Sequence, residues 1–284
     1  MKTLTAITLV CAHFGIGACA QSLRYSVAIP YTVLSAYSTQ QSDPLSFTGN
    51  EAALAKTASA GMGIYGERRY LLDATTAYVM AAALTTQPGN FGVTVNNSGF
   101  KNFNETKLGL AYARNLGSRM DVGIQFNYYS YRVPSYGKAS AVYAEGGAIF
   151  HLTEKLNAGI QMYNPMGTKL GKDSDEKLAA VYKFGLGYDA SENFFAGGEI
   201  IKEEDKPVNV TAGMQYQFAK QFFIKAGFLS ESSTVFGGAG ISWRNLRLDI
   251  AGSYHPQLGF SPGLLIIAKW GNKKSAAGSD NTSE

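Results

Sequence analysis

Apolar residues alternate strictly with small or polar residues in the stretch 208–218, which runs VNVTAGMQYQF. Because successive side chains of a strand point to opposite faces, this pattern predicts a strand with one apolar and one polar face. Similar alternation occurs in 121–128, in 246–251 and in 264–270, where the last apolar residue is Trp270. The chain is therefore predicted to consist mainly of two-faced strands.

The pattern predicts fourteen strands in the region 60–271. The second and the ninth have the weakest alternation. The predicted strands lie near 60–71, 75–86, 89–99, 104–115, 118–132, 140–152, 155–164, 177–189, 193–203, 207–218, 221–230, 234–244, 246–256 and 260–270.

The predicted connections differ in length according to their place in this series. Those after even-numbered strands are tight, such as 115–118 and 191–193, whereas several after odd-numbered strands are longer and polar, such as 133–140 and 165–176. This sorting is typical of a transmembrane β-barrel with both termini in the periplasm and the longer loops outside the cell. A secreted soluble sandwich also has alternating strands, but it has no reason to sort its loops in this way or to hold so many strands.

The composition agrees with a wall that has one face toward lipid and one toward water. The chain has 32 Gly, 17 Tyr and 16 Phe, while only 16% of its residues are charged. We therefore predict an all-β protein, a transmembrane antiparallel β-barrel of about fourteen strands in the outer membrane of a Gram-negative cell, with outer-membrane lipid around it. The formal charge of +4 is small and scattered, which argues against nucleic acid as a partner.

The two ends of the chain have compositions unlike the strand region. Residues 1–20 have a positive start, a short apolar run and an Ala-Cys-Ala exit, as in a cleavable signal peptide. Cleavage after Ala20 would remove both cysteines, Cys11 and Cys19; alternatively, the sequence IGAC resembles a lipobox in which Cys19 is lipidated. Residues 272–284 are polar and are predicted to be a disordered tail.

Few residues outside the leader are suited to catalysis, because only His151 and His255 remain there. Ser253 and His255 share one strand face and could form part of a hydrolytic site. A polar lumen lining explains the same two residues more simply. The chain has no nucleophile elbow, zinc-protease motif or phosphate-binding loop, so we predict no enzyme activity, no cofactor and no metal site.

The polar phase of the strands carries charges of both signs. One interpretation is an ion-pair network that fills the lumen and holds a plug, and the other is a polar conduit or gate. The predicted lumen charges are Asp121, Glu145, Lys183, Glu199, Lys225, Arg244, Arg247, Asp249 and Lys269.

Residues 21–59 precede the first predicted strand and are the candidate plug or hatch. They contain the phrase NEAALA at 50–55, which resembles the N-P-A-x-L-A signature just before the first strand of FadL-type outer-membrane transporters. PorV/PorQ-like proteins of the type IX secretion system have a similar phrase. Glu51 stands where that signature has proline, and the matching residues are Asn50, Ala52, Leu54 and Ala55.

The resemblance implies a hatch inside a fourteen-strand barrel and leaves three functions open. A FadL-like transporter would pass small hydrophobic compounds past an N-terminal gate, with an apolar path that leads to a gap in the wall. A PorV-like protein would instead be a non-transporting partner of secretion or surface-anchoring machinery, with a sealed lumen. A lipid-modifying enzyme that uses Ser253 and His255 is the third. The loops are shorter than those with which FadL-type transporters collect ligand, and the sequence does not predict the oligomeric state.

Overall fold

The computed structural model describes residues 34–100, 103–133, 137–171 and 177–272. The predicted leader, the candidate lipidation site at Cys19 and nearly all of the predicted tail lie outside the described residues. The first part of the candidate hatch, 21–33, lies outside them as well.

The described residues form fourteen β-strands and five short 3-10 helices. None of these helices has the length and apolar character needed to span a bilayer. All fourteen predicted strands are present, including the second and the ninth, and most of their ends agree with the prediction within three residues. The strands are β1 (Ser59–Arg68), β2 (Thr76–Thr85), β3 (Asn90–Phe100), β4 (Phe103–Leu116), β5 (Met120–Val133), β6 (Gly137–His151), β7 (Leu156–Tyr163), β8 (Val181–Ser191), β9 (Phe194–Glu203), β10 (Val208–Gln217), β11 (Phe222–Leu229), β12 (Thr234–Trp243), β13 (Leu246–His255) and β14 (Gly259–Asn272).

Each strand pairs antiparallel with the next, and β14 pairs with β1, so the sheet closes into a barrel. The register shifts at only two places in the described strands, at the start of β1 and near the end of β8. The backbone hydrogen-bonding groups of a closed barrel have partners all the way around, which is why such a wall is stable in lipid. The predicted fold class is confirmed.

The alternation places apolar side chains outside and polar or small side chains inside. In β10, Val210 and Met214 are 39% and 50% exposed, whereas Thr211 and Gln215, each directly after one of them, are almost fully buried. The same division separates exposed Phe126 in β5 from its buried neighbours there. An exposed apolar face on a closed barrel is suited to lipid.

The connections sort by parity less clearly than the sequence predicts. Only 69–75 after β1 and 164–180 after β7 are long, whereas 204–207 and 230–233 are as short as the turns at the other end. The loop predicted at 133–140 is mostly strand, because the polar start of β6 continues the ladder with β5. We call the end with the long connections the long-loop end, and the opposite end the tight-turn end.

Candidate functional site in the barrel lumen

Residues 34–58, which we call the inner segment, lie against the inner face of the barrel in its tight-turn half. They include the short helices Ser35–Tyr37, Ser46–Thr48 and Glu51–Lys56, and almost every residue in these helices is buried. The last helix packs against β4, β5 and β6. The described part of the candidate hatch therefore occupies the lumen.

The NEAALA phrase starts the last of these helices and connects it to the wall. Asn50 has an extended backbone, and its Oδ1 accepts a hydrogen bond from the backbone N–H of Ala52 at 3.0 Å, as an N-cap residue does. Its Nδ2 donates to the carbonyl oxygen of Ile160 in β7 at 3.0 Å. Ala52 and Leu54 are fully buried, and Ala55 is 5% exposed. The structure thus places all four signature residues at the contact between helix and wall.

Inward-facing glycines let this helix lie directly against the strands. A Cβ atom at Gly147 would be 2.1 Å from Asn50 Oδ1, and one at Gly123 would be 2.4 Å from the carbonyl carbon of Glu51. Real Cβ atoms do not approach other atoms so closely, so any larger residue would push the helix away. The sequence prediction missed these residues, although glycine at an inward position of a two-faced strand is a readable signal of close approach.

Asn90, at the start of β3, holds the other end of the same helix. Its Nδ2 lies within hydrogen-bonding distance of three carbonyl oxygens, those of Leu54 at 2.7 Å, Ala55 at 3.2 Å and Thr57 at 3.1 Å. Carbonyl groups at a helix end need donors, and a buried side-chain amide supplies them here. Nothing in the local pattern around Asn90 indicated this role.

One side of the lumen is apolar. Leu45, Phe47 and Leu54 of the inner segment pack against small or aliphatic side chains on β14 and β1 to β4, and all three are at most 1% exposed. Their partners include Val79, Ala81, Ala83, Ala111, Ala113, Leu265 and Ile267. Glycines in β1 and β3 give further room, since a Cβ at Gly63 would be 2.2 Å from Leu45 Cδ1.

Paired charges connect the inner segment to β11 and β13. Lys225 Nζ lies 2.7 Å from Asp249 Oδ2, and the Arg247 guanidinium binds the same carboxylate through two nitrogens at 2.9 and 2.7 Å. Arg247 Nη1 also lies 3.3 Å from Asp43 of the inner segment. Two cations and two carboxylates thus neutralise one another, as buried charges must.

A second layer of charge crosses the middle of the lumen. Glu145 is bound by Lys107 Nζ at 3.2 Å and Asn127 Nδ2 at 2.8 Å, and Lys183 Nζ lies 3.9 Å from Glu199. The Tyr37 hydroxyl donates to Glu199 at 3.4 Å. Burial, followed by the nearby Glu199 carboxylate, raises the pKa of Tyr37 well above its ordinary value, so this hydroxyl keeps its proton.

Glu51 is the acid of the inner segment that faces this layer. Its Oε1 accepts a hydrogen bond from Gln161 Nε2 at 2.7 Å, while Oε2 has no donor among the described residues. Burial and then the Glu145 carboxylate raise the pKa of Glu51 well above its ordinary value. Burial and the neighbouring carboxylate therefore favour the protonated, neutral form of Glu51.

Two acids near the tight-turn end have different partners. Asp121 lies 2.9 Å from His151 Nε2, and the other ring nitrogen of His151 lies 2.7 Å from Asn157 Oδ1. Asp189, which the sequence prediction did not include, accepts hydrogen bonds from the Ser38 hydroxyl at 2.7 Å and from both the backbone and hydroxyl of Thr39. Asp189 is a main anchor of the inner segment. The sequence prediction missed it because it lies near the end of β8.

Two predicted lumen charges have surroundings that differ from the rest. Arg244 is exposed, lies in the turn between β12 and β13, and has a left-handed backbone with φ 54°. Its inclusion in the lumen set was wrong, because the alternation stops where the strand ends; its guanidinium lies over the Trp243 ring at 5.8 Å. Lys269 does face inward, and its Nζ donates to the backbone carbonyl of Ser42 at 3.3 Å.

The structure does not bring Ser253 and His255 together as a hydrolytic pair. His255 Nδ1 accepts hydrogen bonds from the backbone N–H groups of Gln257 and Leu258 at 3.1 and 3.2 Å, which caps the turn after β13. The His255 ring also meets Tyr70 edge to face. These contacts assign His255 to the structure of the turn. No group of three or more metal-binding side chains occurs in the described part of the chain.

The described parts of the long connection, 164–171 and 177–180, fold back over the other half of the lumen. Its Leu170 and Leu178 are fully buried against a group of tyrosines on the inner face of β5 to β7. In this group the hydroxyl oxygens of Tyr143 and Tyr163 are 2.5 Å apart. The lumen therefore has three layers: the inner segment, the central charges, and this folded loop with its tyrosines.

The comparisons with known proteins identify the architecture. No protein family and no curated protein matches the sequence. Among solved structures, the Pseudomonas putida toluene transporter TodX matches with a TM-score of 0.57 at 10% identity, over 84% of this chain and 96% of its own. A Pseudomonas aeruginosa FadL homologue matches with a TM-score of 0.55 at 10% identity, over 80% and 93%. The monoaromatic hydrocarbon channel CymD has a TM-score of 0.55 at 11% identity, over 78% and 91%.

The chain has the fold of FadL-type outer-membrane barrels. The likeness is one of architecture, which agrees with the fold expected from the NEAALA phrase. None of these three neighbours is described as an enzyme. β3 pairs with β4 over its whole length and with β2 from Asn90 to Ser98, in both cases without a register shift. The gap in the wall that the transporter hypothesis expects is not present at this strand.

Proposed function

We propose that the protein is an outer-membrane channel for small hydrophobic compounds, and that the inner segment is its gate. The observation that carries the proposal is the apolar side of the lumen, which is lined mainly by small or aliphatic side chains and filled by Leu45, Phe47 and Leu54 of the inner segment. If the segment moves, these three side chains leave behind a track of apolar surface. A hydrophobic solute that takes their place is stabilised by about 25 cal/mol for each Å² of apolar surface that it buries.

The anchors on the opposite side are suited to reversible movement. Asp43, Ser38 and Glu51 are held by hydrogen bonds or ion pairs to Arg247, Asp189 and Gln161. A neutral polar contact contributes about 0.5–1.5 kcal/mol net and one to a charged group about 1.5–3 kcal/mol, because water replaces the contact when it opens. The gate is therefore held by several separate contacts, and we expect the channel to be closed while they hold.

The lengths of the loops indicate how the barrel is oriented in the membrane. We place the tight-turn end in the periplasm and the long-loop end outside the cell, as is usual for barrels of this kind. The neighbours TodX and CymD, a toluene transporter and a monoaromatic hydrocarbon channel, support small aromatic hydrocarbons as the compounds to test first.

A second candidate function is that of a partner in a secretion or surface-anchoring complex. The observation in its favour is a set of exposed apolar residues in the connections of the long-loop end: Met166 is 86% exposed, and Leu71 and Leu72 are 56% and 55% exposed. Leu71 and the preceding Tyr70 also have positive φ, which is a costly backbone for such residues and holds the leucines outward. A sealed lumen fits this function.

A disulfide that locks the gate distinguishes the two functions. A Cβ at Gly63 would be 2.9 Å from Leu45 Cγ, so the β-carbons of the double variant Leu45→Cys and Gly63→Cys lie within about 4.5 Å, a span that a disulfide closes. Toluene uptake into proteoliposomes is measured for this variant before and after reduction. We expect uptake at the protein-free background when oxidised and at the rate of the unmodified protein when reduced.

The two single-cysteine variants serve as controls and should respond equally to oxidant and reductant. Equal uptake by the oxidised and reduced double variant would reject the gate. Uptake by the unmodified protein no faster than that of empty liposomes would reject the channel and favour the partner function.

A further inference from the structure

A cavity of about 190 Å³ lies at the tight-turn end, between the inner segment and the wall. Residues 40–42 of the inner segment form one side of it, and inward or turn residues of β10 to β14 form the others. Pockets for drug-sized ligands measure about 300–1,000 Å³, so this cavity suits a smaller molecule.

The lining has more positive than negative charge. It includes Arg244, Arg247 and Lys269, and none of the described lining residues is a carboxylate. Arg247 is neutralised by Asp249 and Asp43 behind it, and these two acids also balance Lys225. The Lys269 ammonium instead contacts a neutral carbonyl group, and the Arg244 guanidinium contacts an aromatic ring. The cavity therefore carries two cations that its own carboxylates do not balance.

Two buried polar atoms at the cavity have no hydrogen-bond partner among the described residues. They are Ser42 Oγ and Gln215 Oε1, and the whole Gln215 residue is only 4% exposed. A hydroxyl can donate or accept, and an amide can turn so that its NH2 group points to the cavity. Buried groups of this kind are normally satisfied, so both are ready partners for a polar ligand atom.

The remaining wall of the cavity is apolar. Phe223 and Ile267 contribute to it, and the Arg247 guanidinium lies over the Phe223 ring at 4.4 Å. A ligand that fits the whole cavity therefore has an anionic end for the cations and a small apolar end for the ring. A bare inorganic anion would leave the apolar wall without a contact.

We propose that this cavity binds a small organic carboxylate. The carboxylate binds Lys269, takes hydrogen bonds from Ser42 and the Gln215 amide, and places its apolar group against Phe223, while Arg244 adds positive charge at the edge of the cavity. The site adjoins the apolar side of the lumen at Ile267, but its polar groups lie outside that cluster, so benzoate binding does not depend on the proposed passage of hydrocarbons. It does touch the inner segment at Ser42, so an occupied site adds a contact between segment and wall.

The test is calorimetric titration of benzoate into the full-length mature protein in lipid nanodiscs. We compare Lys269→Gln and Arg244→Gln with Lys220→Gln, which removes the same charge from an exposed turn at the same end. Loss of the Lys269 charge should weaken benzoate binding about tenfold or more, loss of the Arg244 charge should weaken it by a smaller factor, and Lys220→Gln should leave it unchanged. Arg244→Gln changes only an exposed turn, so it keeps the test valid if Lys269→Gln displaces the inner segment.

Three results would overturn the proposal: no saturable benzoate binding, equal affinity in all three variants, or inorganic phosphate binding as tightly as benzoate. Toluene, which lacks the carboxylate, should not compete with benzoate. Competition by toluene would assign benzoate to the apolar side of the lumen and also reject this site.

Discussion

At the scale of single residues, adjacent side chains in one strand face entirely different surroundings. Gly146 and Gly147 in β6 illustrate this: a Cβ at Gly147 would overlap Asn50 Oδ1, while one at Gly146 would have its nearest neighbour at 3.8 Å, on the outer side. The same residue type therefore has a packing role at one position and none at the next.

This pair supplies a test of the contact between helix and wall. Gly147→Ala should destabilise the packing of the inner segment against the wall by about 1–3 kcal/mol, because the Asn50 side chain must move. The measurement is the rate of trypsin cleavage after Lys56 in lipid vesicles. We expect faster cleavage in Gly147→Ala and no change in Gly146→Ala, and equal rates would show that the segment does not lie against β6.

At the scale of elements, the helix Glu51–Lys56 is held by charge as well as by packing. Glu51 faces Glu145 of β6, and Lys183 of β8 is coupled to both acids, to Glu199 and to Lys107. With Glu51 neutral, one negative charge in this layer is absent. Ionisation of Glu51 would add it beside Glu145, where two carboxylates repel.

The attachment of this helix to the barrel wall should therefore become less stable as the pH rises. The folded protein holds the Glu51 proton above the ordinary pKa of about 4.3, at which the unfolded chain releases it. The stabilisation is complete below that pH and is lost as the pH rises toward the raised pKa of the folded state. We expect the midpoint of urea unfolding in vesicles to fall with pH, and Glu51→Gln to flatten this dependence. Glu192→Gln, in an exposed turn, should keep the slope of the unmodified protein; an unchanged slope in Glu51→Gln would contradict the assignment.

At the scale of the whole molecule, the barrel is a wall with a lipid face and a filled interior. The inner face tolerates little change, because even Ala251 is 5% exposed and packs in the apolar side of the lumen. A charged substitution at an inward position is therefore expected to be destabilising as well, so it cannot serve as the control for a charged substitution on the lipid face. Outward positions at different depths of one strand give a cleaner comparison.

Ile250 and Leu246 provide this comparison in β13, where they are 66% and 56% exposed. Ile250→Lys lies nearer the middle of the strand and should lower the free energy of unfolding from lipid vesicles by about 2–4 kcal/mol, because a lysine there meets the bilayer interior. Leu246→Lys, at the strand end, should cost about 0–1 kcal/mol. Equal costs at the two depths would be inconsistent with a lipid-facing β13.

Period-two alternation and turn residues were enough to predict the strands and their facing, since both are local properties. The NEAALA phrase led to the contact between helix and wall because a short motif specifies a cap. The partners of the inner segment, such as Asn90 and Asp189, are distant in sequence from the residues they bind, so no local pattern could show them. Arg244 was misplaced for the opposite reason: the alternation was extended past the end of its strand.

The position of the inner segment directly before β1 constrains the order of assembly. The segment runs inside the barrel and then becomes the strand that closes the seam with β14. Once that seam has formed, the segment can enter or leave only through an end of the barrel, and Leu170 and Leu178 with their described neighbours cover part of the long-loop end. We expect the protein to enclose its own N-terminal region while the wall is still open, so replacements where the segment packs against the wall should reduce the yield of closed barrels as well as their stability.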